Sequence, residues 1–336
     1  IFFKNNFFYQ KHTNKNLLHK FYLRLKLREY LEAKKYFEGA YYSNNLNVLK
    51  KLILDKKIKI IHIFQDTRLV KEIYPFCKEK GVKVIFEDED PAIYNFSENS
   101  TEIKLEREIC RKVAGVIAST EMERKDLVKK YNLANTVSIY PSANKQFIIS
   151  GKNKDIKNIT CVYIGTMGFN SYRAPLPEYV ESLARNKNIK IHLYLLNLYS
   201  ITGLKLKLKF LKYKNIVFHN KINFTKIKKE ISKYQYGIVA YDGNCRKVNN
   251  NFGFKTIEYV FSGLIPIYNT EKIYKSEEIG YVVQDGVELE ARDVELKRNY
   301  FEVKYKKNLQ KLSKDYIMEN NIIKLEKFYL KLLSKK

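Results

Sequence analysis

Short apolar runs rich in β-branched and aromatic residues punctuate the chain: IKIIHIF (58–64), VKVIF (82–86), GVIAS (115–119), TVSIY (136–140), TCVYI (160–164), IKIHLYLL (189–196), NIVFH (215–219), YGIVAY (236–241), LIPIY (264–268) and YVV (281–283). Between them apolar positions recur every three or four residues, as in APLPEYVESLARN (174–186), TKIKKEISKYQ (225–235) and KTIEYVFS (255–262). Runs of the first kind predict strands and runs of the second predict helices. Their alternation predicts an α/β fold with parallel sheets covered on both faces.

A polar stretch, PSANKQFIISGKNKDIKN (141–158), interrupts this rhythm and reads as a linker. Six predicted strands follow it, enough for a complete doubly wound domain. Only four precede it, and the first 57 residues read as mostly helical. The chain starts with Ile rather than Met, so the expectation is an N-terminal α/β domain that lacks its first strands. Residues 302–336 read as one or two basic helices without a strand. The expected division is 1–145, 146–305 and a helical tail at 306–336 that packs back on the two domains. No repeat of the solenoid kind is visible.

Two segments read ambiguously. GLKLKLKFLKYKN (203–215) alternates Leu and Lys like a strand, yet it lies between two predicted strands, where a helix is expected. Residues 16–37 form a basic helical pattern, with Leu17, Leu18, Phe21 and Leu25 among Lys20, Arg24 and Arg28. It fits either an anionic membrane surface or an ordinary surface helix.

Composition adds a question of charge. The 336 residues carry a net charge of +27, which suits an anionic partner, whether nucleic acid, acidic membrane or phosphate-bearing substrate. Abundant Lys, Asn, Ile and Tyr together also fit the bias of an AT-rich genome. No RNP, zinc-knuckle or helix-turn-helix pattern appears and Trp is absent, which argues against nucleic acid. Cys77, Cys110, Cys161 and Cys245 are far apart and read as free thiols of a reducing cytosol. The histidines make no metal pattern, and no apolar run reaches the ~18 residues of a membrane span.

The candidate chemistry lies in NNFGFKTIEYVFSGLIPIYN (250–269). Gly253 permits a sharp entry into a helix starting near Phe254, whose first-turn N–H groups and dipole attract an anion. Lys255 adds a full charge there, and Glu258, three residues on, shares its face. Phe254, Ile257 and Phe261 form the opposite stripe, expected to pack on the sheet. Gly263 suits the C-terminal cap. A diphosphate with a ribose held by the acid would fit this arrangement, although an ordinary exposed Lys–Glu helix pair has the same spacing.

Gly253, Glu258-Tyr259, Gly263 and the following LIPI resemble the nucleotide-sugar motif of the group 1 (family 4) glycosyltransferases. That family has the GT-B fold, two Rossmann-like doubly wound domains facing a cleft. The resemblance implies that Glu258 holds the donor ribose and that Gly253, Phe254 and Lys255 meet the diphosphate. The family's earlier glutamate falls at Asn250, which can hydrogen-bond the donor sugar but without charge. YIGTMGFNSYRAPLPEYVESLA (163–184) is similar to the family's first strand, glycine loop and helix of the donor domain. Gly165 and Thr166 would line that loop, and Arg173 would grip the diphosphate. FHNKINFTKIKKEISKYQYGIVAY (218–241) is similar to the base-binding turn, with Lys221 and Ile222 flanking the base. On the acceptor side, IIHIFQDTRLVKEIYPFCKEKGVKVIFEDEDPAIY (60–94) resembles the family's strand, helix and strand, with Glu87, Asp88, Glu89 and Asp90 where many members have a His. Asp88 and Asp90 stand in an Asp-x-Asp arrangement; contacting the acceptor hydroxyl or lining the cleft, with Asp88 the candidate, is favoured over metal binding, and an exposed acidic loop is an equal alternative.

The resemblance implies a retaining transferase that moves a sugar from a nucleotide-diphosphate donor to a glycan or lipid-linked acceptor in surface polysaccharide or glycoconjugate biosynthesis. No metal or other cofactor is expected, since Lys255, Arg173 and helix N–H groups supply the positive charge. The implied location is cytoplasmic, with the basic surface against the inner face of a membrane. The alternative is a catalytically inactive GT-B-like protein that binds a nucleotide sugar or glycan, suggested by Asn250 and the missing His.

Overall fold

The computed structural model describes residues 2–3, 46–89, 91–142, 159–168, 175–220, 229–242, 253–272, 276–299 and 301–334. The chain divides into two compact units, Ile1–Ile139 with Lys324–Lys336, and Tyr140–Ile323.

The first unit is built on a parallel sheet of β1 (Phe2–Phe3), β2 (Ile60–Phe64), β3 (Lys83–Asp88), β4 (Gly115–Ala118) and β5 (Thr136–Ser138), side by side in that order. Four of these follow the predicted runs. The fifth, β1, pairs with β2 through Phe2 and Phe3, and two residues are too few for alternation to reveal. Ile61, Ile63, Val84, Phe86, Val116 and Ala118 share one core with Leu49, Ile53, Val70, Ile73 and Leu127 of the helices. Ile85 and Ile117 point the other way, under Phe328 and Leu332 of the helix Met318–Ser334. Both faces are covered, so the strands place apolar residues on both faces rather than alternating with polar ones. Asp66, Ser100 and Thr120 open their helices by accepting a first-turn N–H, the role that polar residues at these starts perform.

The second unit carries six parallel strands: β6 (Ile159–Gly165), β7 (Ile189–Leu195), β8 (Ile216–His219), β9 (Tyr236–Val239), β10 (Ile265–Tyr268) and β11 (Tyr281–Val282). Their spatial order is β11-β10-β9-β6-β7-β8. The chain therefore winds outward from β6 to β8, returns to the other side of β6 with β9, and winds outward again. This is the doubly wound arrangement expected for residues 160–283, with its reversal between β6 and β9.

The Leu–Lys segment is a helix, Ile201–Phe210, capped by Ser200. Leu206 and Phe210 enter the core, and the other leucines are exposed, so the apparent period of two is a coincidence of two apolar rows on one helix. Residues 229–231 of the predicted 225–235 helix are helical; the rest of its amino-terminal part lies outside the described residues, as does the basic pattern at 16–37. The carboxyl-terminal third of this unit continues through the helices Gly286–Asn299 and Phe301–Tyr316.

Candidate functional site

The helix Phe254–Phe261 connects β9 to β10 and begins at the sheet's carboxyl edge. Its start, Gly253, has extended backbone and no side-chain cap. Its end is closed by a Schellman pair: Gly263 N donates to Val260 O (3.0 Å) and Leu264 N to Tyr259 O (2.9 Å), with Gly263 at φ 81°. The chain then enters β10 directly.

The apolar stripe on this helix packs differently from expectation. Ile257 and Phe261, with Val260, meet Leu312, Tyr316 and Ile317 of the carboxyl-terminal helices, not the sheet. Tyr259 is the residue that lies on the sheet, with Val162, Val239 and Tyr268. The helix is sandwiched, apolar on both sides, and periodicity identifies a face without telling what covers it. The close approach of Tyr259 requires Gly237 in β9, where any Cβ would overlap its ring.

This placement solves a backbone problem at the reversal of the sheet. Thr160 O accepts from Gln235 N on the β9 side of β6, and Gly165 O accepts from Leu196 N on the β7 side. Alternation thus turns the amide and carbonyl of Ile164 toward β9. The β6–β9 ladder, however, stops at the pairs Cys161↔Tyr236 and Val162↔Gly237. Beyond it, Ile164 N donates to Tyr259 Oη (3.3 Å) and Lys255 Nζ donates to Ile164 O. Side chains of the helix thereby replace the missing strand, as buried peptide groups demand. Burial pushes the Tyr259 phenol well above its ordinary value, which keeps it neutral in this role.

Lys255 Nζ also stands 4.8 Å from the centroid of the Tyr163 ring. Gly165, at φ 137°, leaves the room it occupies; a Cβ there would lie 2.5 Å from Nζ. The loop beyond is held at two points. Tyr163 Oη donates to Thr166 O (2.6 Å), and Asn197, just past β7, brackets Met167 by accepting from its N (3.3 Å) and donating to its O (2.8 Å). Asn269, just past β10, brackets Tyr241 in the same way at 3.0 Å on both sides. Two asparagines thus fix the exits of β6 and β9, the strands that flank the reversal. Sequence reasoning passed over both asparagines and read Tyr259 only as part of a motif, without its bond to Ile164; the available signal for the asparagines was an Asn directly after a strand, a residue that bonds neighbouring backbone readily.

Of the candidate residues, the structure brings Gly165, Lys255 and Gly253 to one edge of the second unit, with Thr166 exposed beside them and Glu258 half-buried one helical turn on. Lys255 does not project outward as a bare charge, as its first-turn position suggested. It reaches across to β6, and one of the three donors of its ammonium serves Ile164. For Phe254 only the backbone is described, and Asn250, Arg173, Lys221 and Ile222 lie outside the described residues.

Asp88 belongs to the first unit, at the end of β3. It is 4% exposed, so a solvated acidic loop does not describe it. Burial pushes the neighbouring Cys110 thiol well up, and the charges of Asp88 and Glu106 push it further. Glu106 accepts from Tyr131 Oη (2.6 Å) and from Ala92 N. Glu87 pairs with His62 at 2.7 Å, whose other ring nitrogen meets Tyr329 Oη at 2.7 Å. Asp90 is outside the described residues.

A second polar cluster sits on β7 and β8. His192 Nδ1 lies 2.7 Å from His219 Nε2 and 3.3 Å from Tyr234 Oη, and Tyr194 Oη bonds both Tyr234 (2.8 Å) and Glu230 (3.0 Å). Burial, then the neighbouring His219, lowers the His192 pKa to about 4. Among the described residues no group of three or more His, Cys, Asp and Glu could hold a metal ion. No helix among them is long and apolar enough to cross a membrane.

No family model matches this chain, and no curated protein matches it in sequence. Solved structures do match in fold. Sucrose-phosphate synthase from Thermosynechococcus elongatus superposes with a TM-score of 0.67 at 13% identity, over 86% of this chain and 77% of that one. A glycosyltransferase from Rickettsia africae gives 0.63 at 13% identity, over 89% and 85%. Anabaena HepE, in complex with UDP and glucose, gives 0.62 at 11% identity, over 89% and 85%. The fold is α/β of the GT-B class, with two Rossmann-like units.

Proposed function

We propose that this chain is a glycosyltransferase that moves a sugar from a nucleotide-diphosphate donor to a glycan or lipid-linked acceptor. The observation that carries the reading is the start of the Phe254–Phe261 helix, with Lys255 at the exit of β6, beside the reversal of a doubly wound sheet. In open α/β sheets such a reversal opens a crevice for ligands. A diphosphate seated there would meet an ammonium and first-turn N–H groups together. As the bond to the sugar breaks, the diphosphate gains charge, and fixed donors stabilise it without reorganising. Glu258 would hold the donor ribose and Arg173 would share the diphosphate charge. Lys221 and Ile222 would flank the base, and Asn250 would bond the sugar. Asp88 would act on the acceptor. These roles need no metal. Retention of anomeric configuration, membership of family 4, a part in surface polysaccharide or glycoconjugate assembly, and a cytoplasmic site against the inner membrane face complete the proposal. The neighbouring fold of HepE, which holds UDP and glucose, supports the donor class.

The test is a panel of nucleotide sugars offered to the purified chain, with binding and donor hydrolysis or transfer as readouts. Wild type turns over at least one donor, and Glu258→Ala weakens that donor's binding by about tenfold or more. A wild-type chain that binds no member of a broad panel overturns the proposal.

A second reading has its own support: a binding protein that has lost catalysis. It is favoured by Asn250 in place of an acid and by the Lys255–Ile164 bond, which gives the lysine a structural task. Donor binding without hydrolysis or transfer to any acceptor selects this reading.

A further inference from the structure

The helix Ile201–Phe210 has two apolar faces, and only one of them is used. Leu206, Phe210 and Gly203 are buried in the second unit. Ile201, Leu204, Leu208 and Leu211 are between 53% and 80% exposed. At about 100° per residue these four fall within an arc of about 80°, on the side away from the buried row. Leu211, the C-cap, keeps helical backbone (φ −54°, ψ −34°), so it continues the stripe. Isolated exposed leucines need no explanation, but a contiguous aliphatic stripe does.

The charges around the stripe say what covers it. Lys205 and Lys207 border it on either side, each about 40° beyond its edge. Lys212 and Lys214 continue past the helix, and residues 201–214 contain no acid. Lys209 and Lys212 are tied to Glu178 and Glu181 at 3.0–3.2 Å, but these pairs lie to the side of the leucines. Tyr199, 75% exposed at the helix entry, carries the Lys207 ammonium 5.2 Å from its ring centre. A narrow aliphatic stripe with lysines on both flanks and a tyrosine at its end is the composition of a helix lying in a membrane interface. A second copy of this chain would set lysine against lysine in a protein of net charge +27.

We propose that the outer face of the helix Ile201–Phe210 docks on an anionic lipid bilayer, with Ile201, Leu204, Leu208 and Leu211 entering the acyl boundary and Lys205 and Lys207 meeting headgroup phosphates. This gives the membrane clause of the proposed function a specific surface and does not depend on the donor chemistry.

The chain has no Trp, so Leu208→Trp is a reporter of one position. The full chain with this change is titrated with phosphatidylcholine vesicles and with vesicles containing about one-third phosphatidylglycerol. Val287→Trp, equally exposed on another helix, is the control. Emission of the Leu208→Trp chain shifts to the blue with the anionic vesicles only, the shift weakens with salt, and emission of the Val287→Trp chain does not respond. Adding Lys205→Glu with Lys207→Glu abolishes the shift, and vesicle sedimentation of Leu204→Ser with Leu208→Ser falls by about tenfold. Vesicle binding by the Leu208→Trp chain without a change in its emission overturns the proposed face, as does a failure to bind. A blue shift that grows with protein concentration in the absence of lipid assigns the stripe to self-association and also overturns it. Nucleotide-sugar turnover measured without vesicles is a separate readout, so either proposal can fail alone.

Discussion

In the first unit the described strands cross the sheet in chain order, β1 to β5, whereas in the second the order doubles back between β6 and β9. The two sheets share chemistry: parallel, apolar on both faces and helix-covered. They differ in where backbone groups run out of partners. No reversal interrupts the described strands of the first sheet, and its ladders pass from one strand to the next. In the second, Ile164 points at a strand that has already diverged, and Lys255 and Tyr259 complete its bonding. A reversal therefore creates a gap and also the need for polar side chains beside it. A lysine at such a place has a structural reason to be there before any ligand is considered, and the same bond holds it at the edge where a ligand would bind.

The largest expected effect is on turnover. Lys255→Ala lowers donor turnover by about 10²–10³-fold if its charge stabilises the leaving diphosphate. Asp88→Asn, in the other unit, leaves nucleotide affinity within about twofold of wild type and lowers transfer to acceptor. Nucleotide binding that falls with Asp88→Asn and not with Lys255→Ala would reverse the roles assigned to the two sheets. Gly237→Ala, which drives a methyl into the Tyr259 ring, costs about 2–4 kcal/mol in urea unfolding, whereas glycine-to-alanine changes at unobstructed sites cost far less. Asn269→Ala unbrackets Tyr241 and costs about 1–3 kcal/mol by the same measurement, because two buried peptide groups lose their partners.

The smallest effect is a pH slope. The folded pKa of His192, about 4, lies below its ordinary 6.5, so the unfolded chain binds the proton first. Stability is then full above pH ~6.5 and declines as pH falls toward about 4, and His192→Asn flattens that part of the profile. Urea midpoints at about pH 7 and about pH 5 measure it. An unchanged difference between those midpoints in the variant would show that His192 does not carry the slope.

The strands were readable because each is a short apolar run with β-branched residues, and both the six-strand count of the second sheet and its parallel winding followed from their spacing with helices. The helix from Phe254 and its closure at Gly263 were readable from one-dimensional signals, a glycine at each end and apolar residues between. What covers each face was not readable. Ile257 and Phe261 could have met sheet or helix, and only the long-range return of residues 301–316 decides it. Lys255 was identified as a charge, but its bond to Ile164 depends on two strands parting, which no local pattern records. The asparagines after β7 and β10 were hidden for a related reason, since each acts on a residue 28 or 30 positions away. Leu–Lys alternation pointed to a strand and the place between two strands to a helix; position was the better guide, because a helix apolar on two sides imitates a strand on paper.

Gly237 leaves β9 bare opposite the Tyr259 ring. The missing side chain makes a keyway in β9, and the Tyr259 ring is the key that sets how deep the neighbouring helix is seated. Depth and register are thus determined by shape, one helical turn away from the ammonium. An exchange at position 255 takes away the partner of Ile164 O but leaves key and keyway in place, so the seat of the helix and the chemistry at that edge rest on different residues.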